Sequence, residues 1–345
     1  MRPMSPNPAS AAASSDASTV PLGDASERGS ASLTAAARPL VRRVLRPYGA
    51  RLSLWADDRR FFDACAPALA RYPRGPAGTG GPDLTICART GVDSPDDPAW
   101  PRTAVDHGDR RLVLHCGSAR MEADAGAGTA DLVVPPALLG VDDAVRMFVE
   151  GAVATLLISG GWLHAVHAAL VQLDGRWLLL RGPSGAGKST LTYACLRAGA
   201  AVCSDDWVYG VVGSRPDRLW GYPWRLFLVP EATHRWDELR GAPSVLHPGA
   251  DRLKVPIVPP RPRRRRGGPV DAVVLLDPSP SLGLRSVSRA EAAERFWGPA
   301  LPTERRDLPP AWVDELLDRP SYVLARGTDP DDAVSLLRRE LVSRS

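Results

Sequence analysis

Eight residues, Gly182-Pro183-Ser184-Gly185-Ala186-Gly187-Lys188-Ser189, constrain this chain more than any other stretch. They match G-x-x-x-x-G-K-[ST] in full. An apolar strand expected over Trp177 to Leu180 precedes them, and a helix expected from Lys188 to about Ala198 follows. Gly199 stands where a helix C-cap glycine belongs. Strand, glycine turn and helix in that order need an α/β sheet behind them. The glycines let backbone N–H groups converge on an anion, and the helix start points its positive end at the same place. Lys188 supplies a mobile charge for the outer phosphates, and the Ser189 hydroxyl can ligate magnesium. The stretch therefore predicts a site for ATP or a similar nucleotide with Mg2+, built from Gly182, Pro183, Ser184, Gly185, Ala186, Gly187, Lys188, Ser189 and Thr190.

Two acids stand where such a site needs them. Ala200 to Cys203 reads as a strand that ends in Ser204-Asp205-Asp206. The interval from Lys188 holds one helix and one return strand, so both acids come back beside the loop. Adjacent residues on a strand point to opposite faces. Both acids serve one site only if the strand ends there; otherwise one of them faces solvent. Phosphoryl transfer to a hydroxyl needs a carboxylate for the metal and a base for the proton, and adjacent acids can divide those roles. His167 opens the strand expected over His167 to Leu173, which Asp174-Gly175 turns into a hairpin with Trp177 to Leu180. His164 competes with it, and composition alone does not separate the two. Arg225 and Lys254, on later apolar strands, are auxiliary candidates for nucleotide or phosphate, or else edge-strand charges in solvent.

The chain has 345 residues, 44% apolar and 24% charged, enough for a sizeable core without disulfides. Its five cysteines are scattered and lack paired spacing, which argues against a metal cage and fits a reducing, cytoplasmic setting. The net charge of +4 demands neither nucleic acid nor membrane. Gly151 to Val171 lacks Asp, Glu, Lys and Arg, but a glycine pair splits it into a buried helix and a buried strand rather than a membrane span. Arg261 and Arg263 to Arg266 form a dense basic run, read either as a solvated loop or as a docking patch for an acidic substrate segment or phosphate. Residues 1–38 are rich in Ala, Ser, Pro and Gly and read as a disordered tail. Residues 39–138 read as a small α/β lobe: strands at Arg51 to Trp55, Leu84 to Cys87, Arg111 to Cys116 and Leu132 to Val134, a helix at Arg59 to Tyr72, and a Gly/Pro-rich loop over 73–82. Residues 139–345 read as the P-loop part, a mixed sheet with flanking helices. A helix over Val141 to Ile158 comes first. Strands follow at Val208 to Val212, Pro223 to Val229, Leu253 to Val258, Val270 to Leu276 and Ser321 to Ala325. Further helices are expected at Ala290 to Phe296, Pro309 to Leu317 and Asp331 to Ser343.

From His167 to Val208 the chain resembles the HPr kinase/phosphorylase family, whose core is shared with phosphoenolpyruvate carboxykinase. The resemblance rests on His167, Gly175, Gly182 to Ser189, Arg197-Ala198-Gly199 and Asp205-Asp206, in the family's order and spacing. It implies a kinase fold of that type. Lys188 and the loop amides would hold nucleotide phosphates, Ser189 and Asp206 the metal; Asp205 would be the base and His167 its neighbour, with the two acids open to exchange of roles. After Asp206 the chain runs Trp207-Val208-Tyr209-Gly210, without the family's further glycine-rich signature. The resemblance is therefore to the divergent HPr-kinase-like group, which includes serine kinases that tailor lasso-type precursor peptides. It implies an ATP- and Mg2+-dependent kinase acting on a serine of a protein or peptide, in relatives that often assemble from several copies. Two alternatives share the core: a small-molecule kinase, which would need a compact cationic pocket, and a nucleotide-binding regulator without catalysis. The early aspartates speak against a mechanical or transport ATPase. Residues 39–138 carry no chemical signature; their place ahead of the core suggests substrate-peptide recognition.

Overall fold

The computed structural model describes residues 41–73, 80–94, 104–107, 110–139, 142–222, 225–246 and 252–342. The tail expected over 1–38, most of the loop over 73–82, and Pro223-Trp224 lie outside the described residues.

A seven-stranded sheet comes first. Its strands are β1 (Val41–Leu45), β2 (Arg51–Ala56), β3 (Asp83–Thr90), β4 (Ala104–His107), β5 (Arg111–Cys116), β6 (Ala119–Asp124) and β7 (Thr129–Val134), in the order β1-β2-β3-β7-β6-β5-β4. β2, β3 and β7 run parallel and the other pairs antiparallel. Leu52, Leu54, Leu84, Ile86, Met121 and Leu132 alternate with more exposed residues, the pattern of a sheet covered on one face. The cover is α1 (Arg59–Leu69) and, after the single-turn α2 (Pro136–Leu139), the long helix α3 (Asp142–Ile158). Phe148, Val153, Leu156 and Leu157 of α3 belong to this first core.

The second half is built differently. Six strands, β9 (Ala169–Leu173), β10 (Arg176–Arg181), β11 (Ala201–Ser204), β18 (Ala272–Asp277), β19 (Leu282–Ser286) and β20 (Ser321–Arg326), form a mixed sheet ordered β11-β9-β10-β18-β20-β19. β10, β18 and β20 are parallel. Leu178, Leu179 and Leu180 are all buried, as are Val273, Val274 and Leu275, because helices cover both faces. On one face lie α4 (Lys188–Arg197) and α9 (Pro330–Leu337); on the other, α6 (Arg289–Trp297) and α8 (Pro310–Leu316), with the short α7 (Pro302–Asp307) between them.

Two smaller sheets complete the half: β8 (Leu163–His167), β12 (Trp207–Val211), β13 (Arg218–Gly221) and β17 (Gly267–Pro269) in one, and β14 (Leu226–Leu228), β15 (Val245–Leu246) and β16 (Leu253–Ile257) in the other. A short helix α5 (Pro230–Thr233) follows β14. His167 closes β8 rather than opening β9. Its partner in register is Trp207, whereas Ala169 pairs with Leu180 in the six-stranded sheet. The chain changes sheets at Ala168 and changes back at Asp205-Asp206, between β11 and β12. The expected last helix also stops early: α9 ends at Leu337 and a π-helical turn carries the chain to Val342.

Candidate functional site

The glycine loop joins β10 to α4 at the carboxyl ends of the parallel strands, where ligands of open α/β sheets sit. Gly185 (φ 82°) and Gly187 (φ 94°) are left-handed, a conformation that costs other residues about 1–2 kcal/mol. At Gly187 a Cβ would also come 3.0 Å from Arg326 Nε, so the guanidinium would have to shift. Pro183, Ser184 and Gly185 are exposed at the tip, and Ala186 is buried beneath it. Lys188 is buried, and its Nζ donates to the carbonyls of Gly182 (2.8 Å) and Pro183 (3.2 Å). Burial lowers its pKa, and the nearby charge of Asp206 opposes that fall. Ser189 and Thr190 follow on the first turn of α4, both half-buried.

The two aspartates occupy the bend between β11 and β12, so the strand does end at the site. Asp205 is 7% exposed. Its Oδ2 accepts the N–H of Phe227 at 3.3 Å, and its carboxyl shares a hydrogen bond with the Ser189 side chain. Burial is the largest cause that pushes its pKa up to about 7, and the charge of Asp206 adds to it; the Phe227 N–H, Ser189 and Lys254 pull the other way. Asp206 faces outward, its side chain 58% exposed, with Oδ1 3.1 Å from His167 Nε2. His167 also lies against Trp207, ring centroids 5.5 Å apart. His164 goes elsewhere: its ring lies tilted against that of Trp312, centroids 5.2 Å apart, and burial lowers its pKa. The structure thus separates two histidines that composition leaves equivalent.

Burial lowers the pKa of Lys254 on β16, and the nearby charges of Asp206 and Asp205 oppose that fall; its Nζ is 6.0 Å from the Phe227 ring. Arg225 directly precedes β14, two residues before Phe227. So the loop, Ser189, Asp205, Asp206, His167 and Lys254 converge, with Arg225 on the adjoining segment.

Three charged residues that the sequence does not single out complete the surroundings. Arg326, at the carboxyl end of β20, packs on Gly187, and its Nε is buried without a hydrogen-bond partner. Arg181, the last residue of β10, is 1% exposed and donates from Nη1 to Glu304 Oε1 (2.7 Å) and to His167 O (3.1 Å), and from Nε to Phe296 O (2.8 Å). Glu304 in turn accepts the His167 N–H at 2.9 Å and that of Leu301 at 2.8 Å. A buried ion pair therefore grips the backbone of His167 on both its N–H and its C=O. The available signal was a charge ending each of two apolar strands, Arg181 and Arg326, at the end where the glycine loop lies. Glu304 offered none, because its partner lies far away in the chain.

No protein-family model and no curated protein matches the chain. Among solved structures it is similar to that of the HPr(Ser) kinase/phosphatase from Coxiella burnetii, at 14% sequence identity and a TM-score of 0.27, over 52% of this chain and 97% of that one.

Proposed function

We propose that the protein is a phosphotransferase that moves the terminal phosphoryl group of ATP, with Mg2+, to a serine hydroxyl on a protein or peptide. The observation that carries the reading is the meeting of Asp205 and Asp206 with Ser189 at the mouth of the glycine loop. The donor set fits the metal: hydroxyl and carboxylate oxygens are the hard ligands magnesium takes, and phosphate and water would complete its shell. The left-handed glycines and Lys188 fit a triphosphate in the same way. Bound Mg2+ would neutralise charge on the phosphates.

The residues divide the remaining work. The hydrogen bond between Ser189 and Asp205 favours these two as the metal side. Asp206, outward-facing and held by His167, then suits the base that takes the acceptor's proton, which reverses the division the resemblance suggested. The Arg181–Glu304 pair orients His167 from behind. Lys188 meets the phosphates, and Arg326 stands beside the loop amides.

The test is intact-mass spectrometry of candidate serine-containing peptides encoded beside this gene, incubated with the full chain, ATP and magnesium. A phosphate-sized gain on serine is expected. Asp206→Asn should cut transfer by about 10²–10⁴-fold, as loss of a general base does, while Mg-ATP still binds. Asp205→Asn should weaken the magnesium-dependent part of nucleotide binding. Nucleotide binding with no transfer to any peptide would move the reading to a small-molecule acceptor or a regulator.

A further inference from the structure

The basic run at Arg261 to Arg266 is not an idle loop. It lies along β11, the edge strand of the six-stranded sheet and the one that delivers Asp205. Val202 of β11 bridges Arg264 in parallel, the Arg265 N–H donates to Val202 O at 2.9 Å, and Arg266 O accepts the Gly221 N–H at 3.0 Å. The backbone of the run is thereby fixed to two sheets. Val202 precedes Asp205 by three residues, so the Arg264-Arg265 end of the run lies roughly 10 Å from the aspartates.

The charges on this rim are uncompensated. Arg263 donates to Gly199 O, Arg264 to Pro259 O (2.6 Å), Arg265 to Pro262 O and Arg264 O, and Arg266 to Ala70 O (2.9 Å). These acceptors are all neutral carbonyls, and among the described residues none of the five arginines pairs with an Asp or Glu. Arg261, Arg263, Arg265 and Arg266 are exposed, and the charge of Arg261 bears on its neighbour Arg264. Like charges fixed this close repel, and a partner of opposite sign would offset that. A surface for single-stranded nucleic acid would interleave aromatic residues for base stacking, and Arg261-Pro262-Arg263-Arg264-Arg265-Arg266-Gly267-Gly268 contains none.

We infer that this rim docks an acidic segment of the acceptor, a peptide stretch rich in Asp and Glu that lies along β11 and presents its serine at Asp206. The inference rests on the reading of the aspartate site as a serine phosphotransferase. A segment of about ten extended residues spans the run and the gap to the site.

The test uses the full chain and a fluorescein-labelled peptide of about ten residues, alternating Glu and Asp around one serine. Controls are the same peptide with Gln and Asn for the acids, a single-stranded oligonucleotide of equal charge, and phosphatidylserine vesicles. Anisotropy should report binding of the acidic peptide that weakens as salt rises. The quadruple variant R261Q/R263Q/R265Q/R266Q should bind it roughly tenfold more weakly, and the matching Lys variant should retain most of the affinity. Equal binding of the acidic and neutral peptides would overturn the inference, as would an undiminished Gln variant, a Lys variant that fails with it, or binding of the oligonucleotide or the vesicles in place of the peptide. Mg-ATP binding, followed by calorimetry on the same samples, tells the two failures apart. Peptide binding lost with ATP binding intact sinks the docking rim alone. ATP binding absent with peptide binding intact sinks the phosphotransferase reading.

Discussion

At the scale of single residues, two positions in the site are held at a cost that experiment can read. Gly187 is left-handed and pressed by Arg326, whose Nε has no hydrogen-bond partner. Gly187→Ala must adopt a strained φ and push the guanidinium away. The expected loss is about 1–2 kcal/mol in urea unfolding, together with most of the Mg-ATP binding. Unchanged nucleotide affinity in the Ala variant would show that the loop amides are not the ligands. Asp205 carries the second cost, since its folded pKa of about 7 stands above the ordinary 3.8. The folded chain therefore holds this proton more tightly than the unfolded chain does. The extra stability is fully present below about pH 4, declines as pH rises through the window up to about 7, and is gone above it. Every tenfold gain in proton affinity on folding corresponds to about 1.4 kcal/mol. Melting temperatures measured without nucleotide or magnesium should fall from about pH 5 to pH 8 more steeply in the wild type than in Asp205→Asn. Parallel curves for the two proteins would mean that Asp205 ionises normally.

At the scale of elements, the site depends on strands that stop at the right residue. β8 stops at His167 and β11 at Ser204, and the bends that follow bring the histidine and both acids to one seam. The Arg181–Glu304 pair holds that seam from the buried side. Glu304→Gln keeps an acceptor for the His167 N–H but leaves Arg181 buried without a counter-charge, which should cost about 3–5 kcal/mol in urea unfolding. R181M/E304M removes both charges and should recover much of that loss, although transfer stays low because His167 is no longer gripped. If single and double variants unfold alike, the pair matters by volume and not by charge. How much of this is legible in the sequence follows from the same physics. The loop, α4 and β11 are readable because glycine spacing and apolar runs are local signals. The Asp174-Gly175 turn is readable because both residues are left-handed, φ 46° and 91°. The break at Ala168 is not, since residues 167–173 are apolar almost without interruption and only pairing partners distant in sequence divide them. β1 and β19 escape for another reason: both are largely exposed edge strands that show no alternation. Asp205 and Asp206 are legible as a pair, but their environments, one buried on Ser189 and one exposed on His167, depend on tertiary packing.

At the scale of the whole molecule, the first sheet with its helices and the half that carries the glycine loop are not independent bodies joined by a linker. The first core includes Leu163, Val211 and Trp220 from the sheet that carries His167. Trp162 Nε1 donates to Tyr48 O at 2.9 Å, the rings of Tyr48 and Tyr209 meet edge-on at 5.2 Å, and those of Tyr72 and Tyr222 lie 4.8 Å apart. A fragment starting at residue 139 would uncover the buried face of α3, with Phe148, Val153, Leu156 and Leu157, along with Val211 and Trp220. Re-exposing large apolar side chains costs about 1.5–3 kcal/mol each, on the order of 10 kcal/mol for this set. That is comparable with the whole stability of an ordinary domain, about 5–15 kcal/mol. The fragment is therefore expected to aggregate or to elute expanded in size-exclusion chromatography, without a cooperative urea transition. The full chain should unfold in one transition that coincides by tryptophan fluorescence and far-UV circular dichroism. A soluble fragment with a sharp transition would mean that the aspartate seam is held by its own half alone. The lobe would then be free to serve as a separate recognition module. The expected collapse instead makes the first sheet part of what keeps His167 and Asp206 together, so that substitutions in the lobe's core should lower transfer through the seam, without contact with either substrate.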